Sequence, residues 1–208
     1  MEELEKDKEI KSEFTMPLEP EEIQEATSAA DVVEAMEELD ETAKCQPKER
    51  LSDDDILKLS ADYADVTMKL GNGGPFGAAI VKDGKVISLT SNSVLKDHDP
   101  TAHAEVNAIR EAGRLLGTHD LSGCELYASG YPCPLCMSAT IWANIRKIHV
   151  SGLAEDAAMI GFRDEFMYDY LKGDVDDSED PLIDIEYHDR STAQKLYKNY
   201  AEQNGVLY

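Results

Sequence analysis

Two short segments of the sequence together contain one imidazole, two thiols and one carboxylate that could form a single chemical site. The segment Thr-Ala-His-Ala-Glu supplies His103 and Glu105, and the segment Pro-Cys-Pro-Leu-Cys supplies Cys133 and Cys136. Neutral imidazole and thiolate are good zinc ligands, and three protein ligands leave a tetrahedral ion one open position for water. The pattern therefore predicts a catalytic zinc held by His103, Cys133 and Cys136.

The carboxylate of this set has a different predicted role. Glu105 follows His103 by two residues, which is too close along the chain for an obvious second arm of the same chelate. A carboxylate beside a reacting water can accept its proton and return it later in the reaction. We therefore predict that Glu105 is the catalytic proton carrier and not a fourth ligand.

Two helices are expected to position these side chains. Cys133 and Cys136 stand at i and i+3, so their sulfurs face the same side of a first helical turn, where the positive helix end favours thiolate. Asp99 is a suitable N-cap and Pro100 a suitable first helical residue, which would place His103 just inside a second helix. The N-termini of both helices would then converge on one ion.

Other interpretations of the cysteines remain open at this stage. A Cys-x-x-Cys pair in a reducing compartment can be a redox pair, and a structural zinc would take a fourth ligand from Cys124, His98 or His119. Cys124 is expected to begin a buried strand, where thiols commonly have no role. The order of the two segments and their thirty-residue separation favour a catalytic zinc.

The remaining sequence predicts an alternation of strands and helices. A two-residue Asp83-Gly84 turn indicates an opening hairpin. After it, strands alternate with helices, which predicts a three-layer α/β/α fold with a mixed central sheet of about five strands. The predicted strands are residues 76–81, 85–90, 125–128, 147–151 and 182–186, and the predicted helices are 51–70, 103–116, 133–143, 154–160 and 192–202.

Composition restricts the possible partners. The chain has 208 residues, 43 of them acidic and 20 basic, and an acidic surface is poorly suited to bind nucleic acid, which requires Lys and Arg. No apolar run is long enough to span a membrane. Four cysteines, two of them assigned to metal, give no disulfide framework and favour the cytoplasm.

The chain divides into two predicted parts. Residues 1–50 carry 17 acidic and 6 basic side chains and are expected to form an acidic extension that is helical or partly disordered. Residues 51–208 are expected to form the zinc-binding domain. The acidic, turn-rich stretch 173–189 is interpreted as a solvated connection to the last helix.

From residue 58 onward the chain resembles the cytidine deaminase-like superfamily, and within it the branch of guanine and guanosine deaminases. The metal motif is common to the superfamily, in which His-x-Glu and Pro-Cys-x-x-Cys mark the zinc deaminases. The segments that carry the resemblance are residues 73–78, Asn92, residues 99–105, 132–136 and 160–164, and Tyr208.

This resemblance implies a zinc-dependent hydrolytic deaminase that converts a purine base, guanine, to xanthine and ammonia. It also implies a homodimer in which the C-terminal helix is exchanged between subunits. The residues that it implies for substrate binding are Asn92, Phe76, Ala104, Asp164 and Tyr208.

The sequence departs from that branch at two positions and leaves three other functions open. Tyr131 stands where the family usually has Glu, and Arg163 stands where it often has a second acid. Asp189 is the candidate for the C-terminal acid that the resemblance implies for contact with the substrate. The alternatives are guanosine or another aminated heterocycle as substrate, adenosine in tRNA, and a zinc-binding protein without activity.

Overall fold

A computed structural model describes residues 51–162, 164–173, 183, 186, 188 and 190–203 of the chain. Within these residues, no helix is both long and apolar enough to cross a membrane. The helices are α1 (Asp53–Lys69), α2 (Val94–Asp97), α3 (Ala104–Leu116), α4 (Pro134–Trp142), α5 (Ala154–Met159), α6 (Glu165–Lys172) and α7 (Ser191–Glu202). The strands are β1 (Gly77–Lys82), β2 (Lys85–Ser91), β3 (Cys124–Ala128) and β4 (Lys147–Val150).

The first helix begins at a capping box. Ser52 is the N-cap of α1, and its hydroxyl accepts a hydrogen bond from the Asp55 backbone N–H at 3.1 Å. The Asp55 carboxylate in turn accepts from the Ser52 backbone N–H at 3.1 Å. Two N–H groups that would otherwise lack partners at the helix end are thereby satisfied.

The four described strands form one mixed sheet in the order β2-β1-β3-β4. Strand β1 pairs antiparallel with both β2 and β3, and β3 pairs parallel with β4. The predicted turn joins β1 to β2, and both of its residues have positive φ, 51° at Asp83 and 76° at Gly84. A turn of this hand matches the twist of the two strands, so the hairpin is compact.

The alternation of side chains along β1 divides the interior into two cores. Ala79 and Val81 point to one face, where they pack with Ile56 and other residues of α1. Ala78 and Ile80 point to the opposite face, where they pack with α3. The sheet therefore lies between helical layers, and the predicted three-layer α/β/α architecture is confirmed.

Several predicted boundaries differ from the structure. Asp99 does not cap α3, because the carboxylate of Asp99 instead accepts bonds from the Thr101 N–H and hydroxyl, at 2.8 and 2.7 Å, in a turn that precedes the helix. The prediction of Asp99 as N-cap and Pro100 as first helical residue was therefore wrong; α3 begins at Ala104 with His103 as its N-cap. Helices α2 and α6 were not predicted.

Other predicted features fall outside the described residues. The acidic extension 1–50 is one of them, and most of the predicted fifth strand, 182–186, is another. The described sheet accordingly has four strands where about five were expected.

Candidate metal and substrate site

Three of the four predicted chemical side chains meet in the structure. His103 Nδ1 lies 3.5 Å from Cys133 Sγ and 3.5 Å from Cys136 Sγ, and the two sulfurs are 3.6 Å apart. Among the described residues, these three form the only group of three or more His, Cys, Asp or Glu side chains arranged so as to hold a metal ion. His98, His119 and Cys124, the candidates for a fourth ligand, are not part of the group.

Two helix N-termini position the three side chains. His103 is the N-cap of α3, and Cys133 is the N-cap of α4, with Pro134 at the first helical position. Cys136 then lies on the first turn of α4, on the side of Cys133. The unpaired N–H groups of both helix ends create a positive potential that favours thiolate at this point.

The spacing of the ligand atoms fits zinc. Zinc–sulfur distances of about 2.3 Å and zinc–nitrogen distances of about 2.0–2.1 Å in a tetrahedron separate ligand atoms by about 3.5–3.8 Å. The observed separations of 3.5, 3.5 and 3.6 Å agree with this geometry. One imidazole and two thiols also have the donor chemistry that zinc prefers.

The pKa values of the two thiols are shifted in opposite directions. The hydrogen bond between Cys133 and Cys136, together with the one between Cys133 and His103, lowers the pKa of the Cys133 thiol. The same bond to Cys133, with burial, raises the pKa of the Cys136 thiol. The Cys133 bond also raises the pKa of His103. A cation bound between these groups would favour the deprotonated form of both sulfurs.

Glu105 lies beside the metal group in a buried position. It belongs to the first turn of α3 and is 8% exposed. Burial raises the pKa of its carboxyl group, against a lowering effect of a hydrogen bond with the Cys136 thiol. A buried carboxyl group beside a metal site can accept a proton and later donate it.

The side chain of Asn92 is held in one orientation. It is 6% exposed, and its Oδ1 accepts hydrogen bonds from the backbone N–H groups of Gly74 and Val94, both at 3.2 Å. Only the oxygen of an amide can accept, so these two bonds fix which end of the amide is the oxygen. The Nδ2 group is therefore the part of Asn92 that can serve a ligand, and it can serve only an acceptor.

Phe76 is brought against the segment that precedes Cys133. Its ring packs edge-on to that of Phe162, with ring centroids 5.0 Å apart and planes at 89°. A Cβ at Gly130 would lie 3.3 Å from the Phe76 ring, and one at Gly74 would lie 3.1 Å from it. The Phe76 ring therefore lies between the backbones of Gly74 and Gly130. Gly130 precedes Cys133 by three residues.

Asp164 is also close to the metal group. It is the N-cap of α6, but its side chain makes no capping hydrogen bond. Burial raises the pKa of its carboxyl group, the charge of Cys133 adds to that effect, and His103 opposes it. The carboxyl group is thus near enough to the ligands for their charges to act on it.

The other predicted site residues are placed as follows. Ala104 is fully buried, and its side chain packs in the core between α3 and the sheet, so only its backbone could reach a ligand. Tyr131, at the position of the family's usual Glu, is 46% exposed. Tyr208, Asp189 and Arg163 lie outside the described residues.

Comparison with known proteins identifies the family. Residues 52–151 match the model of the cytidine and deoxycytidylate deaminase zinc-binding region. The guanine deaminase of Bacillus subtilis is 37% identical over 148 residues, which is 71% of this chain and 95% of that protein. The chain belongs to the cytidine deaminase-like superfamily. The predicted reaction class of this deaminase, hydrolysis of a C–N bond, agrees with that membership.

The deaminase also resembles a solved structure over most of its length. The crystal structure of the Bacillus subtilis guanine deaminase aligns with a TM-score of 0.67 at 36% identity, covering 76% of this chain and 98% of that one. The match to a tRNA-specific adenosine deaminase of Aquifex aeolicus is 51% identical but covers only 38% of this chain and 52% of that protein. The predicted resemblance to the guanine deaminase branch is therefore confirmed.

Three residues near the deaminase site were not identified from the sequence. Tyr168 on α6 donates a hydrogen bond to the Pro132 carbonyl at 2.8 Å, next to Cys133. The Asn107 side chain on α3 donates a hydrogen bond to the carbonyl of Ser91, the last residue of β2 and the neighbour of Asn92. Gly73 is approached closely by Asn92. Gly73 belongs to the segment 73–78 that carries the family resemblance. No local pattern in the sequence indicated the partners of Tyr168 and Asn107.

Proposed function

We propose that the chain is a zinc-dependent aminohydrolase that converts guanine and water to xanthine and ammonia. The observation that carries this proposal is the convergence of His103, Cys133 and Cys136, with the buried carboxyl group of Glu105 beside them. Three zinc ligands and one carboxylate that carries protons are the set of groups that zinc deaminases use. The similarity to a guanine deaminase along 95% of its length supports guanine as the substrate.

Zinc would be held by His103 Nδ1 and the two cysteine sulfurs. When bound there, it would supply Lewis acidity and lower the pKa of a water molecule from its bulk value to about 7. The chain itself supplies the rigid arrangement, since two of the ligands are N-cap residues of helices that pack against each other.

Glu105 would carry the protons of the reaction. Its carboxylate takes one proton from the attacking water and passes it to a ring nitrogen of guanine. A second transfer moves the remaining proton of that water to the departing amine, which leaves as ammonia. The position of Glu105 on the first turn of α3, two residues after His103, places the carboxyl group beside the ligands without making it one of them.

The substrate would be oriented by groups on three segments. Asn92 would donate from Nδ2 to an acceptor of the purine ring, because its oxygen is already held by two backbone N–H groups. Asp164 would accept from the purine N–H donors, and Phe76 would pack against the ring. The Ala104 backbone N–H at the start of α3 is one of the groups that a helix leaves unpaired, and it would face the same ligand.

The strong negative charge argues against tRNA as the substrate. Binding to tRNA requires Lys and Arg to neutralise phosphates, and this chain has 43 acidic side chains against 20 basic ones. The tRNA deaminase similarity is confined to about half of that protein. A small, uncharged base does not require a basic surface.

A homodimer that completes the site is part of the proposal. Helix α7 exposes Leu196 and Tyr197 at 64% and 69%, and no residue of this helix is buried. Such an apolar face is suited to pack on a second copy, which would bring Tyr208 to the partner's site. The three described cysteines are free thiols, which supports a cytoplasmic location.

Ammonia release from a panel of substrates tests the proposed function. The panel contains guanine, guanosine, adenine, adenosine, cytosine, cytidine and an adenosine-containing tRNA anticodon stem, each incubated with zinc-loaded protein. The proposal expects release from guanine far above all others. Preference for guanosine or for the tRNA stem would replace guanine as substrate, and no release from any member would favour a zinc-binding protein without activity.

A further inference from the structure

One side chain on the metal-bearing helix α3 hydrogen-bonds to the segment that carries Asn92. Asn107 lies on α3 one helical turn after His103. Its Nδ2 lies 3.0 Å from the Ser91 carbonyl oxygen, 3.0 Å from the Ser93 hydroxyl oxygen and 3.3 Å from the Ala102 carbonyl oxygen. These three acceptors stand on both sides of Asn92 and directly before His103.

The orientation of the Asn107 amide follows from its partners. Carbonyl oxygens can only accept, so the group that faces Ser91 and Ala102 must be the NH₂ donor. The two hydrogens of the Asn107 NH₂ group are shared among three acceptors. This sharing is possible only while all three acceptors stay in place. Ser91 and Ala102 are themselves buried, so water cannot easily replace a lost bond.

The hydrogen bonds of Asn107 help to set the distance between Asn92 and the residues His103 and Glu105. The Ser93 backbone N–H donates to the Ala102 carbonyl at 3.0 Å, so the same carbonyl is held by both Ser93 and Asn107. Asn92 lies between the two serines that Asn107 contacts. Its distance from His103 and Glu105 is therefore set by that backbone bond together with the three contacts of the Asn107 amide.

We propose that Asn107 is a positioning residue that fixes Asn92, the purine-contacting amide, relative to the metal ligands and Glu105. The proposal rests on the proposed function, because it assigns Asn92 to the substrate. Asn107 acts on the substrate only through Asn92 and touches neither the metal ligands' donor atoms nor the base. Loss of its donors allows the Asn92 segment to move relative to α3, which weakens purine binding and misaligns the ring.

A double-mutant cycle tests this role. Asn107→Ala removes the donors, and Asn92→Asp keeps the oxygen that Gly74 and Val94 need while it removes the Nδ2 donor. Since misplacement by about 1 Å can cost about 10²-fold in rate, Asn107→Ala is expected to lower kcat/KM for guanine by about that factor in the wild-type background. In the Asn92→Asp background the same change is expected to have little further effect.

Product affinity gives a readout independent of turnover. Xanthine keeps the ring nitrogens and the 6-oxygen of guanine, and calorimetry measures its binding directly. Asn107→Ala is expected to weaken xanthine binding only where Asn92 is intact. Zinc content is expected to stay at one per chain in all four proteins, because the three ligands are not touched.

Ser88→Ala is the matched control. The Ser88 hydroxyl also joins β2 to α3, by donating to the Ala108 carbonyl at 2.9 Å, and Ser88 is buried. This variant is expected to lose thermal stability while kcat/KM for guanine stays close to that of the wild type. If Asn107→Ala does not fold, Asn107→Ser keeps one short donor and is expected to show an intermediate loss with the same dependence on Asn92.

The outcomes separate the positioning role from the proposed function. An equal loss of kcat/KM in both backgrounds, or a loss matched by Ser88→Ala, would show a merely structural role and overturn the positioning proposal alone. Wild-type protein that is zinc-loaded and folded but does not deaminate guanine would overturn the proposed function and this role with it.

Discussion

The sulfur atoms of Cys133 and Cys136 lie 3.6 Å apart at the N-terminus of α4. Cys133 is the N-cap of this helix, and its sulfur faces the second thiol, which lies on the first helical turn. Two sulfurs at the positive end of one helix, with an imidazole nitrogen 3.5 Å from each, form a site that suits a cation.

Cys136→Ser is expected to remove most of the zinc. The change leaves two good ligands and replaces a soft thiolate with a hydroxyl that zinc binds poorly. Elemental analysis of purified protein should give one zinc per chain for the wild type and far less for the variant. Because metal binding couples to folding, the melting temperature should fall as well.

Cys124→Ser is the control for that experiment. Cys124 is also buried, at the start of β3, and it is not near the other two thiols. It should retain one zinc per chain. Full zinc in Cys136→Ser, or equal loss in both variants, would remove the cysteine pair from the metal site.

Gly73→Ala is expected to disturb substrate binding through Asn92. A Cβ at Gly73 would lie 2.1 Å from Asn92 Oδ1 and 2.7 Å from the Asn92 carbonyl oxygen, so Asn92 must move. A displacement of about 1 Å at a substrate-orienting group can cost about 10²-fold. Steady-state kinetics with guanine should show a large fall in kcat/KM.

Gly71→Ala in the same loop is the matched control. A Cβ there meets no atom within 4 Å, but φ is +76°. The variant should lose about 1–2 kcal/mol of stability from left-handed backbone strain while it keeps its activity. Equal kinetic loss in both variants would show that the loop, and not the contact with Asn92, is responsible.

Tyr168→Phe is expected to weaken the attachment of α6 to the metal loop. The Tyr168 hydroxyl donates to the Pro132 carbonyl at 2.8 Å, and Asp164 is the N-cap of the same helix. Loss of this bond should cost about 0.5–1.5 kcal/mol and should raise KM for guanine, since Asp164 is less well placed. An unchanged KM would separate Tyr168 from the substrate site.

The difference in stability between the wild type and Tyr168→Phe is expected to change with pH. Burial, with the charge of Asp164, raises the pKa of Tyr168 to about 12, whereas an unfolded tyrosine has a pKa of about 10. The stabilising contribution of a group whose folded pKa is raised is complete below about pH 10 and is lost as the pH rises toward about 12. The stability difference between wild type and Tyr168→Phe should therefore shrink over that interval, and a constant difference would contradict the assignment.

Local signals made much of the fold predictable. The capping box of Ser52 and Asp55 and the Asp83-Gly84 turn each depend on residues within four positions of each other, and the turn was predicted. The ligands could be recognised because metal chemistry restricts both residue type and spacing. The start of α3 was misplaced because Asp99 has two uses, as a helix cap or in a turn, and its bonds to Thr101 decide between them.

The supporting residues of the site could not be predicted in the same way. Asn107 bonds to Ser91, sixteen residues away, and Tyr168 bonds to Pro132, thirty-six residues away. These contacts exist only after β2, α3 and α6 have packed, and no local pattern indicates them. Helix α6 does carry a local signal, because its apolar pattern ends at Gly173, and glycine is the residue that most often follows a helix end; its φ of +76° agrees with that position.

Deletion of residues 204–208 tests the exchanged dimer. We expect turnover of guanine to fall steeply while zinc content and melting temperature stay near wild type, because the deleted segment carries Tyr208 but none of the metal ligands. Sedimentation should show a homodimer for both proteins. A monomeric wild type, or full activity after the deletion, would contradict the proposed completion of the site by a partner subunit.

The rate of xanthine formation from guanine by wild-type protein and Glu105→Gln tests the central claim most directly. Glutamine has the size and polarity of glutamate but cannot carry protons, so turnover should fall by about 10²–10⁴-fold while one zinc per chain is retained. Wild-type protein should form xanthine and ammonia in equal amounts. Undiminished turnover by Glu105→Gln, or no xanthine from zinc-loaded wild-type protein, would contradict the account.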